Sequence, residues 1–75
     1  MAEQFIIASR DPSAPIDSTV QAVRDALEYA VGSRVVSVDR KTSIVVIEIP
    51  GPEVERVRTA LGSGFMFDPN PKLHY

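Results

Sequence analysis

The chain has no cysteine, which removes a disulfide framework, a thiolate zinc site and a thiol redox motif together. Its formal net charge of -2 leaves no basic surplus. A protein that binds a phosphate backbone does so by releasing counterions with a Lys- and Arg-rich face, so nucleic acid is not an expected partner. No stretch approaches the roughly 20 consecutive apolar residues that a membrane-spanning helix needs. Met1-Ala2-Glu3-Gln4 also lacks the basic leader and long apolar run of a secretory signal. A membrane is therefore not an expected partner, and the expectation is a cytoplasmic protein or an excised or secreted domain. His74 is the single histidine. With no thiol or second imidazole to complete a ligand set, neither a metal nor another cofactor is expected.

What is present is an ordinary globular composition, 75 residues with 44% hydrophobic and 24% charged side chains. A domain of this size buries only about 60% of its unfolded surface, so the core must be one contact between two layers. Phe5-Ile6-Ile7-Ala8 is a short apolar run closed by Ser9-Arg10-Asp11-Pro12, which predicts a strand entering a loop. From Asp17 the period changes. Val20, Val23, Leu27, Ala30 and Val31 fall at helical spacing, with Asp17 or Ser18 able to cap the first turn and Gly32 to end the helix.

Arg34 to Val38 and Ser43 to Ile49 are rich in β-branched residues, and the polar Asp39-Arg40-Lys41-Thr42 between them is short enough for a hairpin loop. Pro50-Gly51-Pro52 breaks the second run, with proline where a first helical turn tolerates a missing amide proton. Val54, Val57 and Leu61 form the stripe of a second helix that Gly62-Ser63-Gly64 stops, and Phe65-Met66-Phe67 is the last strand. Strand, helix, strand, strand, helix, strand resembles a ferredoxin-like βαββαβ sandwich, an α+β fold with a four-stranded antiparallel sheet and both helices on one face.

The other face of such a sheet has no cover from this chain, and strand alternation says which side chains it carries. The covered set is Val36, Val38, Val45, Ile47, Ile49, Phe65 and Phe67. The open set is Val35, Ser37, Asp39, Ile44, Val46, Glu48, Met66 and Asp68. Strand one stays open, because Phe5, Ile6 and Ile7 are all apolar. An uncovered surface holding Val35, Ile44, Val46 and Met66 is more apolar than a monomer usually leaves in water, and it reads as a docking surface.

The whole chain resembles a subtilisin propeptide, or a free-standing inhibitor built on the same domain. The resemblance rests on the opening strand Phe5-Ile6-Ile7, on Ser43-Ile44-Val45-Val46-Ile47-Glu48-Ile49-Pro50 running into a short helix, and on the closing Phe65-Met66-Phe67-Asp68-Pro69-Asn70. It implies a single inhibitor domain over residues 1–71 with residues 72–75 as a tail. The partner is then a subtilisin-like serine protease, which the domain inhibits and, as a propeptide, also chaperones in folding. The free protein is expected to be a monomer. The open face, carrying Val35, Ile44, Val46, Glu48, Met66, Asp68 and Asn70, would sit on surface helices of the protease, with acidic side chains capping their amino ends. Lys72, Leu73, His74 and Tyr75 would lie in the substrate cleft, Tyr75 in the primary specificity pocket.

The chain departs from the family at three places, one of them the secretory leader that a secreted protease precursor would carry and that Met1-Ala2-Glu3-Gln4 does not resemble. The family's closing glutamate and aspartate are matched either by Met66 and Asp68 or by Asp68 and Asn70, and neither register supplies two carboxylates. Lys72 stands at a subsite where subtilisins often prefer an apolar residue.

Other constellations are weaker. Ser63, Asp68 and His74 can be written as a triad, but nothing orients a base toward the serine. Gly62-Ser63-Gly64 follows a helix and precedes a strand, the reverse of a dinucleotide-binding turn. Glu53 and Glu55 suit the dipole at the start of the second helix. No enzyme activity is expected. The alternative is a small regulatory domain similar to ACT-type modules, which dimerises through its sheet and binds a metabolite.

Overall fold

Residues 2–69 are described by the structure, a computed structural model of the chain. In order they form β1 (Ala2–Ser9), α1 (Ile16–Leu27), β2 (Arg34–Asp39), β3 (Ile44–Pro50), a 3₁₀ turn (Gly51–Glu53), α2 (Val54–Leu61) and β4 (Phe65–Pro69). The strands make one sheet in the order β2-β3-β1-β4, every neighbouring pair antiparallel. With α1 and α2 packed together, this is the ferredoxin-like βαββαβ arrangement that the order of elements predicts.

β3 shows why the chain folds this way. Val45, Ile47 and Ile49 are fully buried, while Ile44, Val46 and Glu48 between them are only half-buried. A two-residue alternation of this kind belongs to a strand with one face packed and the other uncovered. β1 answers it in register, Phe5 opposite Ile47 and Ile7 opposite Val45. Val23, Ala26 and Ala30 from α1 and the turn after it, with Val57 and Leu61 from α2, close the core over those side chains. Each large aliphatic side chain buried there stabilises the fold by roughly 1.5–3 kcal/mol. Phe65 and Phe67 pack against the same cluster, the Phe67 ring 4.7 Å from that of Phe5.

Several local expectations are corrected. α1 begins one residue before Asp17, after Pro15, whose φ of -68° and ψ of 147° are extended. Its cap position therefore has no side-chain acceptor, and the Ser18 hydroxyl instead donates to the Pro15 carbonyl at 2.7 Å. Asp17, already inside the first turn, pairs with Arg40 of the β2–β3 turn at 3.1 Å. The helix ends at Leu27, and tighter turns follow in which Ala30 and Ser33 donate to Leu27 and Ala30. Ala30 thus stays buried while Val31, expected on the same stripe, turns outward and is 83% exposed. Gly32, at φ +86°, reverses the chain so close to β3 that an added Cβ would lie 3.0 Å from Pro50 Cγ.

The larger correction is in β2. Val35 pairs with Ile47 and Ser37 with Val46, so Val36 is an extra residue, a β-bulge on an edge strand. Val35 consequently faces the helices and packs against the core, although plain alternation puts it on the open face. Val38, opposite Val45, lies on the covered side as expected. The two outer strands stay unattractive for further pairing, β2 through its bulge and β4 through its five-residue length and terminal Pro69.

The β1–α1 loop is held by Asp11, whose carboxylate accepts from the Ser13 hydroxyl at 2.7 Å and the Ser13 amide at 2.9 Å. These bonds favour the ionised form and hold Asp11 below its ordinary value of 3.8. A depressed folded pKa stabilises the fold above the unfolded value, and that contribution is lost as the pH falls through the folded one. Ser13→Ala should raise the Asp11 pKa toward an ordinary carboxylate value in an NMR titration, and should shallow the acid limb of stability.

Ile47→Ala removes buried methyl groups from the centre of the core and should cost about 3 kcal/mol in urea unfolding. Ile44→Ala, on the uncovered side of the same strand, should cost about 1 kcal/mol or less. Equal costs would contradict the one-sided packing.

Candidate protein-docking face

The surface opposite the helices is built row by row from the strand register. Ser37, Val46, Ile6 and Asp68 form one row across the sheet, each opposite the next. Beside it Asp39 stands opposite Ile44, and Ala8 opposite Met66. On the far side of the Val46 row are Arg34, Glu48 and Gln4, also in register. The face therefore has an apolar half made by Ile6, Ala8, Ile44, Val46 and Met66, and a polar end. Ile6, Ala8, Ile44 and Val46 are half-buried by their neighbours in the sheet, and Met66 is exposed.

The polar end is internally satisfied. Arg34 Nε donates to Glu48 Oε2 at 3.0 Å, an exposed pair worth little in stability but enough to orient both side chains. Asp39 also has a local task, since its carboxylate accepts from the amides of Lys41 and Thr42 and so closes the hairpin turn. Asp68 differs. Its carboxylate makes no hydrogen bond or ion pair among the described residues, and it stands opposite Ile6 at the edge of the apolar half.

Of the side chains expected on this face, Ile44, Val46, Glu48, Met66 and Asp68 are brought together by the register of β3 and β4. Val35 is not, because the bulge turns it to the core. Asn70 and the tail residues Lys72, Leu73, His74 and Tyr75 lie outside the described residues. Alternation leaves Ile6 and Ala8 open, and it does not bring Gln4 or Arg34 to this face. A usable signal for β1 existed: Phe5 with Ile7 makes a bulkier apolar set than Ile6 with Ala8, and the bulkier set goes inside. Arg34 was hidden by the bulge, which inverts the alternation of everything before Val36.

A groove of about 570 Å³ runs beside the outer edge of β4, with Met66, Asp68, Arg10 and Arg58 among its lining residues. Arg58 is already engaged, 3.3 Å from Glu55 and with its guanidinium carbon 5.1 Å from the centre of the Phe67 ring. The groove thus continues the uncovered sheet face around the edge of β4. Gly62, at φ +76°, donates its amide to the Arg58 carbonyl and ends α2, so Gly62-Ser63-Gly64 serves as a helix stop. Ser63 is exposed in that turn, and His74 of the sketched triad lies outside the described residues. Among the described residues no cluster of His, Asp or Glu is placed to hold a metal ion. No helix among them is long and apolar enough to cross a membrane.

Fold and face together define a small ferredoxin-like domain with a sheet covered on one side and a mixed apolar and acidic surface on the other. Comparison with protein-family models, curated proteins and solved structures found no match for the chain.

Because the Asp68 carboxylate has no partner within the described residues, Asp68→Ala should change unfolding stability by no more than about 0.5 kcal/mol. A thermal or urea unfolding curve checks this, and a large loss would mean that the side chain serves the fold.

Proposed function

We propose that the chain is a protein-binding module of the subtilisin-propeptide type, which inhibits a subtilisin-like serine protease and has no chemistry of its own. The observation that supports this most is the uncovered half-sheet of Ile6, Ile44, Val46 and Met66, with Asp68, which has no partner among the described residues, at its margin. An apolar surface of this kind gains free energy when a partner removes it from water. A carboxylate at its margin suits a helix amino end, which offers orphan amide donors and a partial positive charge. The resemblance of the closing segment to the propeptide family supplies the partner class. Lys72 to Tyr75 then occupy the substrate cleft as a product-like tail, and the docked face holds the tail in place.

The division of labour within each strand supports the same role. Val45, Ile47 and Ile49 are used for folding, while Ile44 and Val46 remain available. A partner can therefore cover the face without disturbing the core. The ACT-like alternative uses the same surface as a self-interface, and it predicts a dimer without protease.

Inhibition of subtilisin by the full chain, and by a chain ending at Pro71, tests the proposal. The full chain is expected to inhibit competitively. The shortened chain should bind through the sheet face but lose at least about tenfold in potency, because it no longer fills the cleft. Val46→Asp should abolish binding at the same concentrations while leaving the fold intact. Absence of inhibition by either chain at micromolar concentration, with a dimer in sedimentation, would decide for the self-interface.

A further inference from the structure

We infer that Met66 is an oxidation site through which peroxide switches the docking face off, an inference that rests on the docking role proposed above. Tyr29, Val31, Val38 and Met66 are the large apolar side chains that stand exposed among the described residues. Tyr29 and Val31 belong to the turn after α1, and Val38 faces the helix side opposite Val45. Met66 is therefore the one member of the group on the open face, and it is 42% exposed. Its cross-strand neighbour is Ala8, whose single methyl cannot shield a thioether. The groove that wraps the edge of β4 gives small oxidants access from that side as well. With no cysteine in the chain, no thiol competes for the oxidant.

The step is a two-electron oxygen transfer. A sulfur lone pair attacks one oxygen of hydrogen peroxide, the O–O bond breaks as the S–O bond forms, and the proton on the transferred oxygen passes through solvent to the departing hydroxide, which leaves as water. Sulfur is oxidised and peroxide is reduced. The product, methionine sulfoxide, replaces a flexible apolar group by a strong hydrogen-bond acceptor, and it is reversible by sulfoxide reductases.

The position of Met66 decides the consequence. Its flanking residues Phe65 and Phe67 pack against the core, while Met66 points away from it, so the oxidised side chain leaves the fold standing. A partner that desolvates the face must instead bury the new S–O dipole without a donor, which weakens docking by roughly tenfold or more.

The test treats the purified full chain with hydrogen peroxide, removes the oxidant with catalase, and then measures three properties. Peptide mass mapping should show one added oxygen on the peptide that contains Met66. Circular dichroism should be unchanged. Inhibition of subtilisin should weaken by about tenfold or more, should return after treatment with a methionine sulfoxide reductase, and should be insensitive to peroxide in Met66→Leu, which keeps Met1 as an internal control. Met66→Gln should mimic the oxidised state without treatment.

Met66 remaining reduced while Met1 is oxidised overturns the inference, and so does unfolding on oxidation. If treated and untreated chains inhibit equally, the switch fails and the docking role stands. If the untreated chain does not inhibit at all, the docking role fails and takes the switch with it.

Discussion

The constraint on which the structure depends is that one sheet must be closed by two short helices from one side. α1 and α2 bring Val23, Ala26, Val57 and Leu61 to that side, and only every second residue of β1 and β3 can meet them. Central strands in a larger protein are often apolar on both faces. Here β3 places Val45, Ile47 and Ile49 at zero exposure, and the intervening residues remain half in water. The uncovered face is therefore a direct consequence of how few layers 75 residues can build.

The same constraint separates residues that hold the fold from residues free to bind. Phe5 and Ile6 are neighbours in sequence, yet one meets Ile47 and the Phe67 ring while the other meets Val46 and Asp68. Phe67 and Asp68 divide in the same way. The backbone of a surface assembled like this is held in place, because it belongs to paired strands whose other face is packed. Rigidity lowers the ordering cost of association, which suits a module whose proposed work is to dock and stay docked.

Much of the architecture is legible from residue pattern. The β-branched runs around Asp39-Arg40-Lys41-Thr42 announce a hairpin, and Val54, Val57 and Leu61 announce α2. The glycines at 32 and 62 mark places where φ becomes positive. The open face is legible in part. Ile44, Val46, Glu48, Met66 and Asp68 follow from alternation alone, because β3 and β4 run without irregularity against β1. Val35 and Arg34 do not follow, since a bulge at Val36 has no signature in a run of valines. The start of α1 is not legible for a related reason: Pro15 can end a loop as well as precede a cap, and Asp17 looks like a cap until its partner Arg40 is known.

By itself the sequence determined the number and kind of elements, their antiparallel hairpin, and the absence of thiol or thiolate-metal chemistry. These depend on interactions between residues close in the chain, or on residue types that are simply not there. Only the tertiary structure decided which face of β1 goes inward and where the β2 ladder slips by one residue. It also decided that Asp68 stands opposite Ile6 and that Met66 stands exposed opposite Ala8. Each of those outcomes depends on a partner far away in sequence, and the free energy that selects it, burial against two helices, exists only once the layers have met.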